Sequence, residues 1–426
     1  MLIAVSIIAG LLVALASLHA LAAKYFSVCI VNGKRAVDRE FQPNATVLLA
    51  ARGCDPSLEK NLVGLLQQDY ENYQVVIVVD HQSDQAWSIA HHVKSEFDTD
   101  HRLRILELEQ PLNSCSLKCS AIVQAMETMS DDVEVVVLVD ADVIPHREWL
   151  LQATSPLADP YVGVVTGNQW FEPSNASAGS LLRSLWNAGA LVPTAALANP
   201  WAGTCAMRLK DMRRTNLVET WKTSIVDDGP IRRAFDPLGK QIVFNPELIM
   251  VNRENCTVGY VDKYVPRMLR WSRMYEKTFI NTFVHMLLLV GTLLTTVGLA
   301  IAGVFLADWW AFVIGGAALF ANIVLNVTGY IVVRNSIRRI ESRRDETKHQ
   351  HYLGHLSPGR ICKIGMLIPV CQVGFGIWCI KSIFLRRVAW RQITYEISGR
   401  NKVRMLKYQP LEATVESGSS VSDVSI

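Results

Sequence analysis

"EVVVLVDADVIP", residues 134–145, sets an unbroken apolar run directly before two carboxylates. A run that is apolar at every position, not at alternate ones, reads as a strand buried on both faces. Such strands belong to parallel sheets covered by helices on either side. Three earlier runs are of the same kind: "ATVLLA" (45–50), "QVVIVV" (74–79) and "RILEL" (104–108). Helical stretches separate them. In "DPSLEKNLVGLLQQDY" (55–70), Asp55 suits an N-cap and Pro56 the first helical position. Leu58, Leu62, Leu65 and Leu66 then share one helical face. Further helices are predicted around residues 84–95 and 117–128. Strand alternating with helix predicts an α/β fold with a mostly parallel sheet, and ligands in such sheets bind beyond the carboxyl ends of the strands.

The residues at those ends carry the chemistry. After the second strand comes "DHQSD" (80–84), and after the fourth come Asp140 and Asp142. Two carboxylates at the exit of a buried strand suit a hard divalent ion, magnesium or manganese, shared with substrate phosphates. They also suit a solvated turn. "SIVDDGPIRRAF" (224–235) supplies a second acidic pair, Asp227 and Asp228, placed where a helix N-cap is expected before Pro230. A cap role and a catalytic role are compatible, because a base needs a fixed position near the proton it removes.

The chain has 426 residues, is 50% hydrophobic and carries a net charge of +3. That is too apolar for an ordinary soluble protein and too charged for spans throughout. The small net charge, with no dense basic and aromatic face, argues against nucleic acid as a partner. Nine cysteines are scattered without a repeated CxxC, and the Cys115–Cys119 spacing has no second pair to complete a zinc site. Their irregular spacing fits a reducing compartment.

Residues 1–23 hold no charge and are long enough to cross a bilayer. A signal peptide is the rival reading, but no basic residue precedes the run. Lys24, Lys34 and Arg35 follow it, which puts the N-terminus outside and the next domain in the cytoplasm. Residues 24–277 form that domain, and residues 278–333 a transmembrane hairpin with Trp309 and Trp310 at its turn. Residues 334–360 are a cytoplasmic loop with seven basic and three acidic residues. Residues 361–387 read either as a fourth span or as a re-entrant segment interrupted by Pro369, Gly374 and Gly376. A single crossing there would place Arg386, Arg387, Arg391 and Arg400 outside, against the charge rule. Residues 388–426 read as a cytoplasmic tail with a disordered end. The whole is an integral, multi-pass membrane protein.

"RMLRW" (267–271) places Arg267, Arg270 and Trp271 on one helical face just before the hairpin. Arginine and tryptophan at a span's entry are ordinary anchors. Guanidinium groups also bind phosphate oxygens bidentately.

Taken in order, a strand with Asp80, a strand with Asp140–Asp142, the Asp227–Asp228 pair and RxxRW resemble the membrane-bound family 2-type glycosyltransferases of GT-A fold. Their pattern is D, DxD, (E/D)D and (Q/R)xxRW. Within that group the chain is most similar to the ceramide glucosyltransferase family and its bacterial lipid-glycosylating relatives. "RGCDPSLEKNLVGLLQQDYENYQVV" (52–76), "DHQSDQA" (80–86), "GTCAMRLKDM" (203–212) and "RMLRW" carry the likeness. The chain departs from that family in three places. One extra residue in "DHQSDQA" leaves open whether Asp80 or Asp84 contacts the nucleotide. Asp227 replaces a Glu. "DAD" stands where ceramide-type members often have D-S-G, which points to another acceptor.

The resemblance implies a UDP-sugar donor, glucose above all, a divalent cation, and a membrane lipid hydroxyl as acceptor at the bilayer. It implies Asp228 as base, with Asp227 beside it. It implies Asp142 as metal ligand, with Asp140 near metal and nucleotide. Arg270 with Arg267 would face the diphosphate, and Trp271 the acceptor. Ala50, Arg52, Asp80 or Asp84, and Lys118 would line the nucleotide site. A processive polysaccharide synthase shares these motifs. A catalytically silent, nucleotide-binding membrane protein is the reading from another class.

Overall fold

The computed structural model describes residues 1–33, 37–344 and 353–411. Lys34 and Arg35, used above for orientation, lie outside them, as does the tail beyond Leu411. The chain divides into two compact units.

One unit comprises residues 35–169, 197–252 and 386–426. Its centre is a seven-stranded sheet: β1 Ala45–Ala51, β2 Tyr73–Val79, β3 Leu103–Glu107, β4 Val135–Val139, β5 Val162–Phe171, β6 Thr204–Arg208 and β7 Gln241–Asn252. The strand order is β3-β2-β1-β4-β6-β5-β7. β1 pairs parallel with both β2 and β4, and β2 pairs parallel with β3. β6 runs antiparallel to β4 and β5. The four strands predicted from apolar runs are therefore the parallel half of the sheet. Every residue of β4 is buried, which is why its sequence does not alternate.

Leu58, Leu62 and Leu65 of the helix Leu58–Leu66 are fully buried against that sheet, together with Trp149, Leu150 and Leu157 from the segment after β4. Burying a Leu side chain contributes about 1.5–3 kcal/mol, so this row is a large part of what holds the layer. The helix starts two residues later than its sequence suggests. Asp55 caps a turn instead: its Oδ1 accepts from Ser57 N at 3.0 Å and from Ser57 Oγ at 2.9 Å. Asp84 and Ser116 are true N-caps, of the helices Gln85–Phe97 and Leu117–Glu127.

The described part of the expected tail is built of strands, and its end lies outside the described residues. β8 Arg387–Trp390, β9 Ile393–Gly399 and β10 Lys402–Lys407 form an antiparallel sheet in the same unit. Ile393, Tyr395, Ile397, Val403 and Met405 turn inward at alternate positions and are buried.

The other unit comprises residues 1–34, 170–196 and 253–385. Four of its helices are long and apolar enough to cross a membrane: Leu2–Val31, Phe279–Phe305, Trp309–Arg343 and Pro358–Phe384. At about 1.5 Å per residue, each exceeds the ~30 Å hydrocarbon layer. Their outer faces carry Ile3, Leu21, Phe305 and Trp310, all more than 60% exposed in the isolated chain, a surface suited to lipid. Pro369, Gly374 and Gly376 do not interrupt the last helix, which runs unbroken for 27 residues. Polar groups inside the bundle pair with one another: Asn322 with Gln372 at 2.9 Å, and His19 with Asn326 at 3.0 Å and His285 at 2.8 Å. Arg334 makes a buried bidentate pair with Glu172, at 2.8 and 3.1 Å. The helix Val258–Tyr275, opened by Thr257 as N-cap, belongs to this unit.

Candidate active site

The sheet brings four of the expected residues to one place. β4 ends at Val139, so Asp140 and Asp142 leave its carboxyl end on a short turn. Asn61 holds that turn, its amide donating to Asp140 O at 3.0 Å and Val143 O at 2.7 Å. Lys118, on the first turn of the helix Leu117–Glu127, reaches across to it. Its ammonium is ion-paired with Asp140 and stands 2.8 Å from Asp227 Oδ2. Asp227 comes from the loop after Trp221, whose indole N–H donates to Asp227 O at 2.8 Å. Asp228 follows directly, and the short helix Ile231–Phe235 begins just beyond. Neither carboxylate caps that helix: Pro230 holds the cap position, and the Asp228 main-chain carbonyl takes the Ile231 N–H at 3.0 Å. The side chains are left for other work.

Three carboxylates around one ammonium set the electrostatics. Burial pushes the Asp228 carboxyl up to about 7, helped by the negative charge of Asp227 and opposed by Lys118. Burial also raises Asp227, against the pull of Lys118. For Lys118 burial acts downward, but Asp140 and Asp227 outweigh it and hold the amine well above its ordinary value. A carboxylate that titrates near neutrality is matched to general-base work at that pH.

Asp142 stands slightly apart. Its Oδ2 accepts from Gln169 Nε2 at 2.9 Å and Asn252 Nδ2 at 3.3 Å. Among the described residues no three His, Cys, Asp or Glu side chains form a closed metal cage. The local surplus of carboxylate over ammonium, at an open strand end, nevertheless fits a hard divalent ion. Such ions commonly take one or two protein carboxylates and complete their shell with substrate phosphates and water. All nine cysteines are free thiols.

The exits of β1 and β2 form a second cluster. Arg52, two residues past Ala50, is ion-paired with Asp80. Asp80 is 3% exposed, and among the described residues its Oδ1 makes no well-formed hydrogen bond, although the Tyr408 hydroxyl interacts with the carboxylate. Burial raises its carboxyl, against the pull of Arg52. Asp84 is engaged differently. Its carboxylate accepts from Gly53 N at 2.8 Å and from Ala86 N at 2.9 Å, so it is spent on the loop and the helix cap. Gly53, at φ 77°, sits in the left-handed region that favours glycine.

Arg267, Arg270 and Trp271 lie on the helix Val258–Tyr275 in the other unit. Arg267 is 9% exposed, with its guanidinium 5.6 Å from the Tyr264 ring centre. Its Nε finds no hydrogen-bond partner among the described residues, and burial pulls its pKa down.

The sequence reading missed Arg391, Tyr408 and Leu411. Arg391 Nη2 approaches Asp55 Oδ2 at 3.3 Å, and Leu411 N approaches Asp80 Oδ2 at 3.4 Å. The period-2 alternation of "ITYEIS" (393–398) and "KVRMLK" (402–407) is the signal that could have revealed the strands beside which these residues sit, Arg391 in the turn before one and Tyr408 and Leu411 after the other.

The profile described as glycosyl transferase family 21 matches residues 9–403. No curated protein matches the chain. Among solved structures, a mannosyltransferase from Pyrobaculum calidifontis, in complex with GDP-Man and Mn2+, is similar at 16% identity and a TM-score of 0.47. That match covers 88% of this chain and 99% of the other. Glucosyl-3-phosphoglycerate synthase from Mycobacterium tuberculosis is similar at 16% identity and a TM-score of 0.37, over 56% of this chain and 79% of the other.

Proposed function

Because the chain belongs to glycosyl transferase family 21, we propose that it moves a sugar, glucose, from a UDP-sugar to the hydroxyl of a membrane lipid, with inversion at the anomeric carbon. One observation carries the reading: Asp228, whose carboxyl titrates near 7, stands beside an Asp227–Lys118–Asp140 ion cluster at the strand ends.

In this mechanism Asp228 accepts the proton of the lipid hydroxyl as that oxygen attacks the anomeric carbon. The bond from that carbon to the diphosphate oxygen breaks, and its electron pair leaves with UDP. Asp227, held by Lys118, keeps Asp228 oriented and keeps its proton affinity high. Lys118 thus acts as a counter-ion among carboxylates more than as a phosphate ligand. Asp140 and Asp142 are the residues that would hold a magnesium or manganese ion, which supplies positive charge to the departing diphosphate. Arg270 and Arg267 add charge for the same diphosphate. Trp271 shapes the acceptor site. Asp80, with its unfilled Oδ1, is favoured over the fully engaged Asp84 as the nucleoside contact, alongside Ala50 and Arg52. The four apolar helices support an acceptor in the bilayer, and the basic residues that follow the first of them support a cytoplasmic catalytic domain.

The test is product analysis. Purified protein in lipid nanodiscs receives UDP-glucose, magnesium or manganese, and a mixed lipid extract. UDP release with a single hexose on a lipid supports the proposal. A polymer would mark a processive synthase. Absence of UDP release with every acceptor would mark a silent nucleotide-binding protein.

A further inference from the structure

Residues 386–411 do not hang from the molecule; they strap the exits of β1 and β2. Arg52 donates from Nε to Arg391 O at 3.0 Å and from Nη2 to Gln409 O at 2.9 Å. Ser83 Oγ donates to Leu411 O at 3.2 Å. The Tyr395 hydroxyl accepts from Leu117 N at 3.2 Å, at the start of the helix that carries Lys118. Met405 N donates to Asn113 O at 2.8 Å. The strap thus holds the residues assigned above to the nucleoside and, through Leu117, the helix behind the carboxylate cluster.

Two groups in this region are left unfilled, and they are complementary. Asp80 Oδ2 is taken by Arg52 and approached by Leu411 N, and the Tyr408 hydroxyl interacts with the carboxylate, while among the described residues the buried Oδ1 makes no well-formed hydrogen bond. Arg391 uses Nη2 on Asp55, while its buried Nη1 has no partner. That Nη1 lies only 3.2 Å from where a side chain on Gly53 would begin. Arg52 bridges the two, bonded to Asp80 by side chain and to Arg391 by main chain. An unfilled acceptor and an unfilled donor joined through one residue match the edge of a uracil ring, whose imide N–H is flanked by carbonyl oxygens. Each would cost about 1–3 kcal/mol if nothing ever met it.

Arg391 also holds an unusual backbone. It and Gln392 form the two-residue β8–β9 turn at φ 48° and 65°. Such a turn favours Asn-Gly, and other residues cost roughly 1–2 kcal/mol apiece in that region. Strain of this kind persists where the side chain is needed.

We propose that the C-terminal strap is a wall of the donor subsite, in which Arg391 recognises the pyrimidine base and the Leu411 N–H aims Asp80 at it. This rests on the reading of Asp80 as the nucleoside contact. Recognition of a carbonyl–imide edge favours uridine over cytidine, whose ring lacks the imide proton.

The experiment is calorimetric titration of the full-length protein in nanodiscs with UDP and with CDP. Arg391→Asn is the informative variant, because Asn tolerates the left-handed turn. Leu411→Pro, which removes the N–H that reaches Asp80, is the second, with Leu411→Ala as the control for the lost side chain. Both are expected to weaken UDP binding about tenfold, as one lost hydrogen bond implies. Both should also reduce the preference for UDP over CDP, which a merely structural hairpin would leave unchanged. Unaltered UDP affinity and selectivity in both variants would overturn the proposal, as would tighter UDP binding, which would make the strap a plug. Asp80→Asn separates the two readings. If Asp80→Asn weakens UDP binding and the strap variants do not, only the wall is lost. If the unaltered protein binds no UDP, the donor assignment itself fails.

Discussion

Lys118 Nζ stands 2.8 Å from Asp227 Oδ2 while also pairing with Asp140, so one ammonium ties the strand-end turn to the acidic pair. Its side chain is only 16% exposed. Removing one member of a buried ion cluster leaves the others uncompensated, at a cost of about 3–5 kcal/mol when the cluster is fully buried. Lys118→Met is therefore expected to lose at least ~2 kcal/mol of stability, discounted for its partial exposure. Its turnover should fall by more than ~100-fold, because without that ammonium both carboxyls are pushed further up and Asp228 is less available as the free base. Thermal unfolding and UDP release in the same preparation check both. An unaltered turnover would show that the counter-ion is dispensable.

The raised carboxyl of Asp228 has a signature in stability. Unfolded, an Asp titrates near 4. Folded, Asp228 titrates at about 7, so between these values the folded state holds a proton that the unfolded state has released. This contribution is complete below about pH 4 and is lost as pH rises through about 7. In metal-free buffer the midpoint of unfolding should fall between pH 5.5 and 8. Asp228→Asn, which cannot ionise, should flatten that slope and exceed the unaltered protein at pH 8. Parallel pH profiles for the two proteins would contradict the assignment.

The last long helix does not cross the membrane once if its two predecessors do. Phe279–Phe305 and Trp309–Arg343, crossing out and back, return the chain to the side of the sheet. A single crossing by Pro358–Phe384 would then deliver Arg386 to the opposite side. Yet Arg391 bonds Asp55 and Leu411 bonds Asp80, within the catalytic unit. An unbroken helix cannot turn back inside the bilayer, so it is expected to lie along the interface with both ends on one face. In sealed vesicles lacking the native thiols, Glu96→Cys and Arg400→Cys should react alike with a membrane-impermeant thiol reagent. Opposite labelling would place the C-terminal strands across the membrane.

Much of the parallel half of the sheet was legible because β1, β2 and β4 are buried on both faces and so read as nearly unbroken apolar runs, while the edge strand β3 keeps Arg104 exposed. Asp80, Asp140 and Asp142 stood out because they follow those runs, and Asp227 and Asp228 because they form an acidic pair before Pro230. What escaped was set by contacts between distant residues. Asp84 looked as good a nucleotide contact as Asp80 until Gly53 N and Ala86 N were found on its carboxylate. Asp55 looked like a helix cap, but it closes a turn with Ser57 and meets Arg391. The pairing of Lys118 with Asp140 and Asp227 could not be read from the sequence, because these partners lie 22 and 109 residues away. The C-terminal strands were hidden by an arginine-rich sequence whose alternation is short, and their role appears only where they meet Arg52 and Asp80.

The central claim is that Asp228 removes the acceptor's proton, and Asp228→Asn tests it most directly. The measurement pairs hexosyl-lipid formation from UDP-glucose with UDP affinity, in one nanodisc preparation. The account predicts a loss of transfer of at least ~100-fold, the range of a missing general base, with UDP affinity within about threefold of the unaltered protein. Transfer at the unaltered rate by a folded Asp228→Asn protein would contradict it.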